Sequence, residues 1–135
     1  MSAPRGLLLA REHVRQMIDH VARAYPLEAC GLVAGQDGRS TRVYPIPNVA
    51  ARPDRYRMDP QAQWQAFRDL EAQGWDLVAI YHSHPGGKPY PSPRDLAEAT
   101  YPVVYLIWAP VGNTWVVRGY MLHQGRPQPV PVRWQ

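Results

Sequence analysis

The sequence predicts an α+β domain in which a curved mixed β-sheet carries flanking helices. Short apolar runs rich in Val, Ile, Leu and small residues are bounded by Gly, Pro and Asp, as strands are. Two longer segments repeat apolar residues every three or four positions, as helices do. The two kinds of segment interleave along 135 residues, so 1–135 is expected to form one domain with a real core.

Gly6 to Ala10 reads as a first strand. Glu12 to Ala24 places Val14, Met17, Ile18, Val21 and Ala22 on one helical face, and Pro26 helps to end the helix. Leu27 to Gly35 is a small-residue apolar strand closed by a Gln36-Asp37-Gly38 turn, with Arg42 to Ile46 as its hairpin partner. Pro47 to Pro60 is a loop in which Tyr56 and Met58 form a short extended piece. Pro60 to Trp75 is a second helix, with Asp59 as N-cap, Pro60 at the first position and Gly74 at its end. Its Trp64, Phe67 and Leu70 are expected in the core. Leu77 to Tyr81 is the central strand and Arg94 to Tyr101 a short third helix. Val103 to Ala109, a Pro110 to Asn113 turn and Thr114 to His123 form a second hairpin. Gln128 to Trp134 alternates Pro and Val and reads as one last edge strand.

The composition, 45% hydrophobic and 19% charged, is that of a soluble globular protein. One cysteine, Cys30, excludes an internal disulfide and a Cys-rich structural zinc site. The apolar run at Gly6 to Ala10 is too short for a signal sequence and no stretch approaches a membrane span, so a cytoplasmic location is expected. The net charge of +4 rests on arginine, since Lys88 is the single lysine. Arg52, Arg55 and Arg57 form the densest group, interrupted by Asp54 and Asp59. With no basic run or nucleic-acid motif, neither nucleic acid nor membrane is an expected partner; a solvated face or a surface for an acidic protein partner is.

The chemistry concentrates in Tyr81 to Asp95, Y-H-S-H-P-G-G-K-P-Y-P-S-P-R-D. At the end of a strand, His82 and His84 project from one face and Ser83 from the other. Pro85-Gly86-Gly87 ends the strand, and ten residues lie between His84 and Asp95. Two imidazoles and a carboxylate make a tridentate set for a catalytic zinc with a position left for water. Ser92-Pro93-Arg94-Asp95 is equally a helix start, with Ser as N-cap, Pro at the first position and an acid at the third.

A hydrolytic zinc also needs a base to take the proton of its water. Glu28 is one candidate, an acid at the head of an apolar strand; the alternative is an exposed strand-start residue. Other histidine-pair enzymes fit poorly. Gly86 stands where a metallo-β-lactamase wants an acid, 135 residues are too few for an amidohydrolase barrel, and zinc deaminases need a later cysteine pair. The interleaved helices argue against a cupin jelly roll.

Glu28, then His82-Ser83-His84-Pro85, then Ser92 and Asp95 resemble the JAMM signature of the JAB1/MPN metalloprotease family. The phrases Pro26-Leu27-Glu28-Ala29-Cys30-Gly31-Leu32 and Ala79-Ile80-Tyr81-His82-Ser83-His84-Pro85 resemble its small prokaryotic members, over roughly Leu8 to Pro110. The resemblance implies a cytidine deaminase-like architecture and one Zn2+ per chain on His82, His84 and Asp95, with water as fourth ligand. It implies that Glu28 is the general base and acid and that Ser92 donates to the oxyanion.

It further implies cleavage after the C-terminal Gly-Gly of a ubiquitin-like protein, or of a sulfur-carrier protein joined to an amino acid. An extended tail would add beside a sheet edge, walled by Pro47 to Asp59 and by Gly86 to Pro91. The two rivals are a non-catalytic module that only binds such a tail and a small-molecule amidohydrolase. Cys30 reads as a buried structural thiol. His13 and His20 read as solvent-facing, and His123 has no partner to name.

Overall fold

In the computed structural model, residues 6–122 and 125–135 are described; His123, at the end of an expected strand, lies outside them. Eight strands and three helices follow in the order β1 (Leu7–Leu9), α1 (Arg11–Ala24), β2 (Cys30–Gln36), β3 (Arg39–Ile46), α2 (Pro60–Ala72), β4 (Asp76–Ser83), α3 (Pro93–Glu98), β5 (Val104–Val111), β6 (Thr114–Met121), β7 (Gln128–Val130) and β8 (Val132–Trp134). They form one sheet in the order β7-β6-β5-β4-β2-β3-β1-β8. It is mixed, with β4–β5, β1–β3 and β1–β8 parallel and the other pairs antiparallel. The expected α+β class and curved mixed sheet are what the structure has.

The sheet curls around α1. Val14, Met17 and Val21 belong to one hydrophobic core with side chains from all eight strands, among them Leu9, Val33, Val43, Tyr81, Leu106, Met121, Val130 and Val132. Burying Met17 and Val21 alone stabilises the fold by several kcal/mol, at about 2 kcal/mol for each such side chain. On the other face of the sheet, Ala66 packs with Cys30, Leu32, Ile46, Ile80, Tyr105 and Ile107, with Phe67 at the margin. Both faces of β2 and of β4 from Ala79 onward are therefore covered, which is why Cys30 to Gly35 and Leu77 to Tyr81 are nearly unbroken apolar runs.

Local chemistry sets the joints. Asp37 and Gly38, at φ 55° and 77°, make the left-handed two-residue turn that Asp-Gly favours between β2 and β3. Asp59 caps α2 by accepting from the Ala62 N–H at 3.1 Å, and Gly74 follows that helix at φ 76°.

Several expectations are corrected. The strand expected from Leu27 begins at Cys30, because Leu27 N–H bonds back to the Ala24 carbonyl and Glu28 N–H to the Arg52 carbonyl. Helix α3 ends at Glu98, short of Tyr101. Pro110 lies inside β5, not in a turn. It sits past the last β4 partner, where β5 is paired with β6 alone, so its missing N–H costs no bond to β4. Trp64 is 58% exposed, because Ala66 and Leu70 set the buried face of α2; the Arg68 guanidinium lies 5.0 Å from its ring centroid.

The expected single edge strand is two strands at opposite ends of the sheet order. Pro131 is the joint: β7 pairs with β6, β8 pairs with β1, and the Pro131 carbonyl accepts from Leu7 N–H at 3.0 Å. His13 and His20 are not solvent-facing. Nδ1 of each lies 2.7 Å from a hydroxyl, Ser40 Oγ for His13 and the Tyr81 phenol for His20.

Tyr81 owes its position to Gly31. A Cβ at Gly31 would stand only 2.3 Å from the nearest carbon of the Tyr81 ring, so only glycine lets that ring lie across β2. Gly31→Ala is therefore expected to destabilise the protein by about 2–3 kcal/mol through overpacking, read as a lower urea midpoint. An unchanged midpoint would show that the ring has room to move.

Candidate metal centre

The central position of β4 places the first histidine. β4 lies between antiparallel β2 and parallel β5, with His82 opposite Cys30 on one side and Ile107 on the other. His82 is completely buried. The pairing runs one residue further, since His84 N–H donates to the Trp108 carbonyl at 2.8 Å, so His84 leaves the sheet on the same face as His82. Pro85-Gly86-Gly87 then folds back, and the Lys88 carbonyl lies 2.9 Å from His84 Nδ1. A carbonyl can only accept, so Nδ1 carries the proton and Nε2 presents its lone pair to the centre.

Helix α3 brings the carboxylate. Ser92 Oγ accepts from Asp95 N–H at 3.0 Å, and Asp95 Oδ2 accepts from Ser92 N–H at 2.9 Å, a complete capping box. The same Oδ2 lies 3.2 Å from His82 Nε2 and 3.0 Å from His84 Nε2, and the two Nε2 atoms are 3.0 Å apart. Asp95 is thus both the helix-start acid and a member of the histidine cluster.

These three atoms are crowded in a way that asks for a cation. With its Nδ1 proton committed, His84 Nε2 is an acceptor facing a carboxylate oxygen. Zinc ligands at 2.0–2.1 Å in tetrahedral array stand roughly 3.3 Å apart, close to the 3.0–3.2 Å found. His82, His84 and Asp95 therefore fit a metal ion, and they are a cluster of metal-ligand type among the described residues. The charge balance agrees. Burial pulls the His82 imidazole down. Burial also opposes charge on His84 and Asp95, yet His82 and His84 hold Asp95 well below the usual carboxylate range, and Asp95 leaves His84 raised, its imidazolium form putting a positive charge where a cation would sit.

Glu28 reaches the same place from β2. The Cys30–His82 register, continued by the Ser83 N–H to Ala29 carbonyl bond at 3.1 Å, sets Glu28 across from His84. It is 5% exposed, so the exposed strand-start alternative does not hold. Burial first, then the negative charge of Asp95, pushes its carboxyl up to about 8, against the opposing pull of His84. Cys30, two residues on, is fully buried with Sγ 3.4 Å from the Ile46 carbonyl, and burial pushes its thiol up to about 12, as expected of a structural cysteine.

Three residues that sequence reasoning gave no role at the site hold it together. Ser83, on the opposite face, accepts from Ala29 N–H through its Oγ at 2.8 Å, so both backbone groups of Ala29 are tied to Ser83. Tyr56 stacks on His82 with ring centroids 4.8 Å apart. Asn48 joins Glu28 to the loop that carries Tyr56. Its Nδ2 donates to the Glu28 and Arg55 carbonyls, and its Oδ1 accepts from Ala50 N–H and Arg57 N–H. The Ala50 bond is an Asx turn, the local signature by which a loop Asn such as Asn48 could have been singled out.

Comparison with known proteins agrees with this geometry. The chain is 44% identical over 124 residues to a probable TtuB-protein conjugate cleaving protease of Thermus thermophilus, covering 91% of this chain and 76% of that protein. It is 36% identical over 103 residues to the CysO-cysteine peptidase of Mycobacterium tuberculosis, covering 75% of this chain and 70% of the relative. A Desulfitobacterium hafniense protein solved in solution superposes with a TM-score of 0.86 at 30% identity, over 96% of this chain and 92% of its own. A model of the prokaryotic homologs of the JAB domain matches residues 10–123. A match over that much of the chain, on a shared fold, has one reading: this protein belongs to the JAB family, among its prokaryotic homologues.

Proposed function

We propose that the chain is a zinc-dependent peptidase or isopeptidase that hydrolyses the amide bond after the C-terminal Gly-Gly of a ubiquitin-like or sulfur-carrier protein. The observation that carries this reading is the convergence of His82 Nε2, His84 Nε2 and Asp95 Oδ2 within 3.2 Å, with buried Glu28 set across from His84. The substrate class is supported by the two relatives, one named for cleaving a TtuB–protein conjugate and the other for a CysO-cysteine bond. Among the described residues, no helix is long and apolar enough to cross a membrane.

His82, His84 and Asp95 would hold the ion. Zinc bound there would supply a water acidified towards a pKa of about 7 and a Lewis acid for the scissile carbonyl. Glu28 takes a proton from the attacking water and returns it to the leaving amine. Burial raises the Glu28 carboxyl in the metal-free protein, and a cation bound beside it would draw it back down, so that it can both take and return a proton. Ser92 Oγ accepts the Asp95 N–H, which leaves its own proton free to donate to the oxyanion at the attacked carbon. Tyr56 packs His82 from behind and keeps its ring from turning.

Removing a ligand tests the site. Asp95→Ala is expected to lose zinc, read as metal per chain by elemental analysis against one zinc for the wild type. Full occupancy in that variant would take Asp95 out of the ligand set.

Glu28→Gln separates binding from chemistry. It is expected to keep zinc while cleavage of a sulfur-carrier protein extended past its Gly-Gly falls by about 10²–10⁴-fold. Full turnover would mean that another group is the base, and wild-type zinc binding with no turnover of any such substrate would favour a tail-binding module. The same variant has a stability signature. Between its ordinary pKa of 4.5 and about 8, Glu28 is ionised in the unfolded chain and neutral in the fold. The metal-free protein thus loses stability as pH rises through that window. Metal-free Glu28→Gln should melt about 5 °C higher than wild type at pH 8, with little gain at pH 5.

Ser92→Ala should lower kcat by about 10²-fold for a lost oxyanion donor, while the lost cap costs only about 1 kcal/mol in thermal melting. Turnover within about twofold of the wild type would leave the hydroxyl with the cap alone.

A further inference from the structure

Arg55 and Arg57 of the 47–60 loop and Arg94 of α3 line a cleft beside the metal cluster. The cleft holds about 450 Å³ and is open to solvent, between that loop and α3. Its charged lining is Arg55, Arg57, Arg94 and Glu98; Val49, Ala50 and the Tyr56 ring supply an apolar wall. Three guanidinium groups thus face one carboxylate, and Glu98 is already engaged with Arg94 at 3.7 Å. Asp54, the other acid nearby, is held by Arg52 at 3.0 Å. Arg55 and Arg57 make no ion pair with any described residue, although the Asn48 bonds to their backbones fix the stretch that bears them.

The cleft adjoins the metal cluster across the Tyr56 ring. Tyr56 and Glu98 line both it and a narrow space walled by His82 and Asp95. A molecule seated among the arginines therefore lies one ring away from the reacting centre.

We infer that this cleft binds an acidic stretch of the substrate's tail, one or two carboxylate side chains just upstream of its Gly-Gly. The inference rests on the peptidase reading above and adds which tails the enzyme prefers. Charge complementarity selects a carboxylate: the cleft has cations to spare and no free acid to pair with a basic tail. Size selects a peptide segment over a lone leaving amino acid, since 450 Å³ falls in the range of sites that enclose drug-sized ligands. The apolar wall of Val49 and Tyr56 suits the aliphatic parts of such a segment.

The test measures binding and cleavage on the same zinc-loaded protein. Fluorescent peptides ending in Gly-Gly and carrying Asp-Asp, Asn-Asn or Lys-Lys immediately upstream would be titrated by anisotropy. The Asp-Asp tail is expected to bind at least about fivefold more tightly than Lys-Lys, with the margin shrinking as salt is added. A doubly reversed variant, Arg55→Glu with Arg57→Glu, should invert that order; both side chains are exposed and lie outside the ligand set. Equal affinities for the three tails would overturn the inference. So would selectivity that follows a free carboxylate against a carboxamide on a residue added after Gly-Gly, which would assign the arginines to the leaving group.

The same peptides extended by alanine report cleavage independently. Cleavage with no preference among tails removes the acidic-tail site and keeps the peptidase. Charge-selective binding without cleavage keeps the site and removes the peptidase.

Discussion

The pairing of β4 with β2 is the constraint on which the site depends. Because Cys30 stands opposite His82, the residue two before Cys30 must arrive beside the residue two after His82, and these are Glu28 and His84. Neither lies within its strand, so the ladder alone does not hold them. Ser83 does, by binding both backbone groups of Ala29, while the Trp108 carbonyl fixes His84 N–H from the β5 side. The metal cluster and the buried acid are thus two ends of one pair of strands. A slip of one residue between them would turn one of the two away from the site, since the side-chain period is two.

The site is expensive to fold and rigid for that reason. A buried carboxyl pushed up to about 8, a completely buried imidazole and an acceptor-rich triad are arrangements that folding alone disfavours. Their cost is met elsewhere, in an α1 that is wrapped by side chains from all eight strands. The joint at Pro131 lets three residues on either side of it reach opposite ends of the sheet order, so both outermost strands, β7 and β8, meet at that joint. The sheet's curvature and the enclosure of α1 follow from that closure.

The 47–60 loop is the second support. Asn48 ties it to the Glu28 backbone at one end and to its own returning segment at the other, so one side chain joins Glu28 to the stretch that bears Tyr56. One side of that loop packs His82, and the other presents Arg55 and Arg57, which make no ion pair among the described residues, to solvent. A loop that packs a ligand on one side can set substrate preference on the other without disturbing the chemistry, which is how binding loops on rigid scaffolds are used.

Much of this was legible in the chain itself. Periodicity and turn residues located every helix and most strands, because amphipathic spacing and Asp-Gly or Asp-Pro joints are local properties. The H-x-H spacing determined that two imidazoles share a face, and Ser92 to Asp95 that an acid begins a helix. What only the tertiary structure decided is where these pieces meet. That Glu28 is buried rather than exposed depends on the β2–β4 register and on Asn48, twenty residues away. That Trp64 faces water and His13 does not depends on how close α2 and α1 lie to the sheet. That 128–134 is two strands at opposite ends of the sheet depends on closure, which no single segment encodes. Side-chain type and spacing specify which chemistry a chain can perform, whereas long-range pairing, whose free energy is shared among distant segments, specifies where that chemistry is assembled.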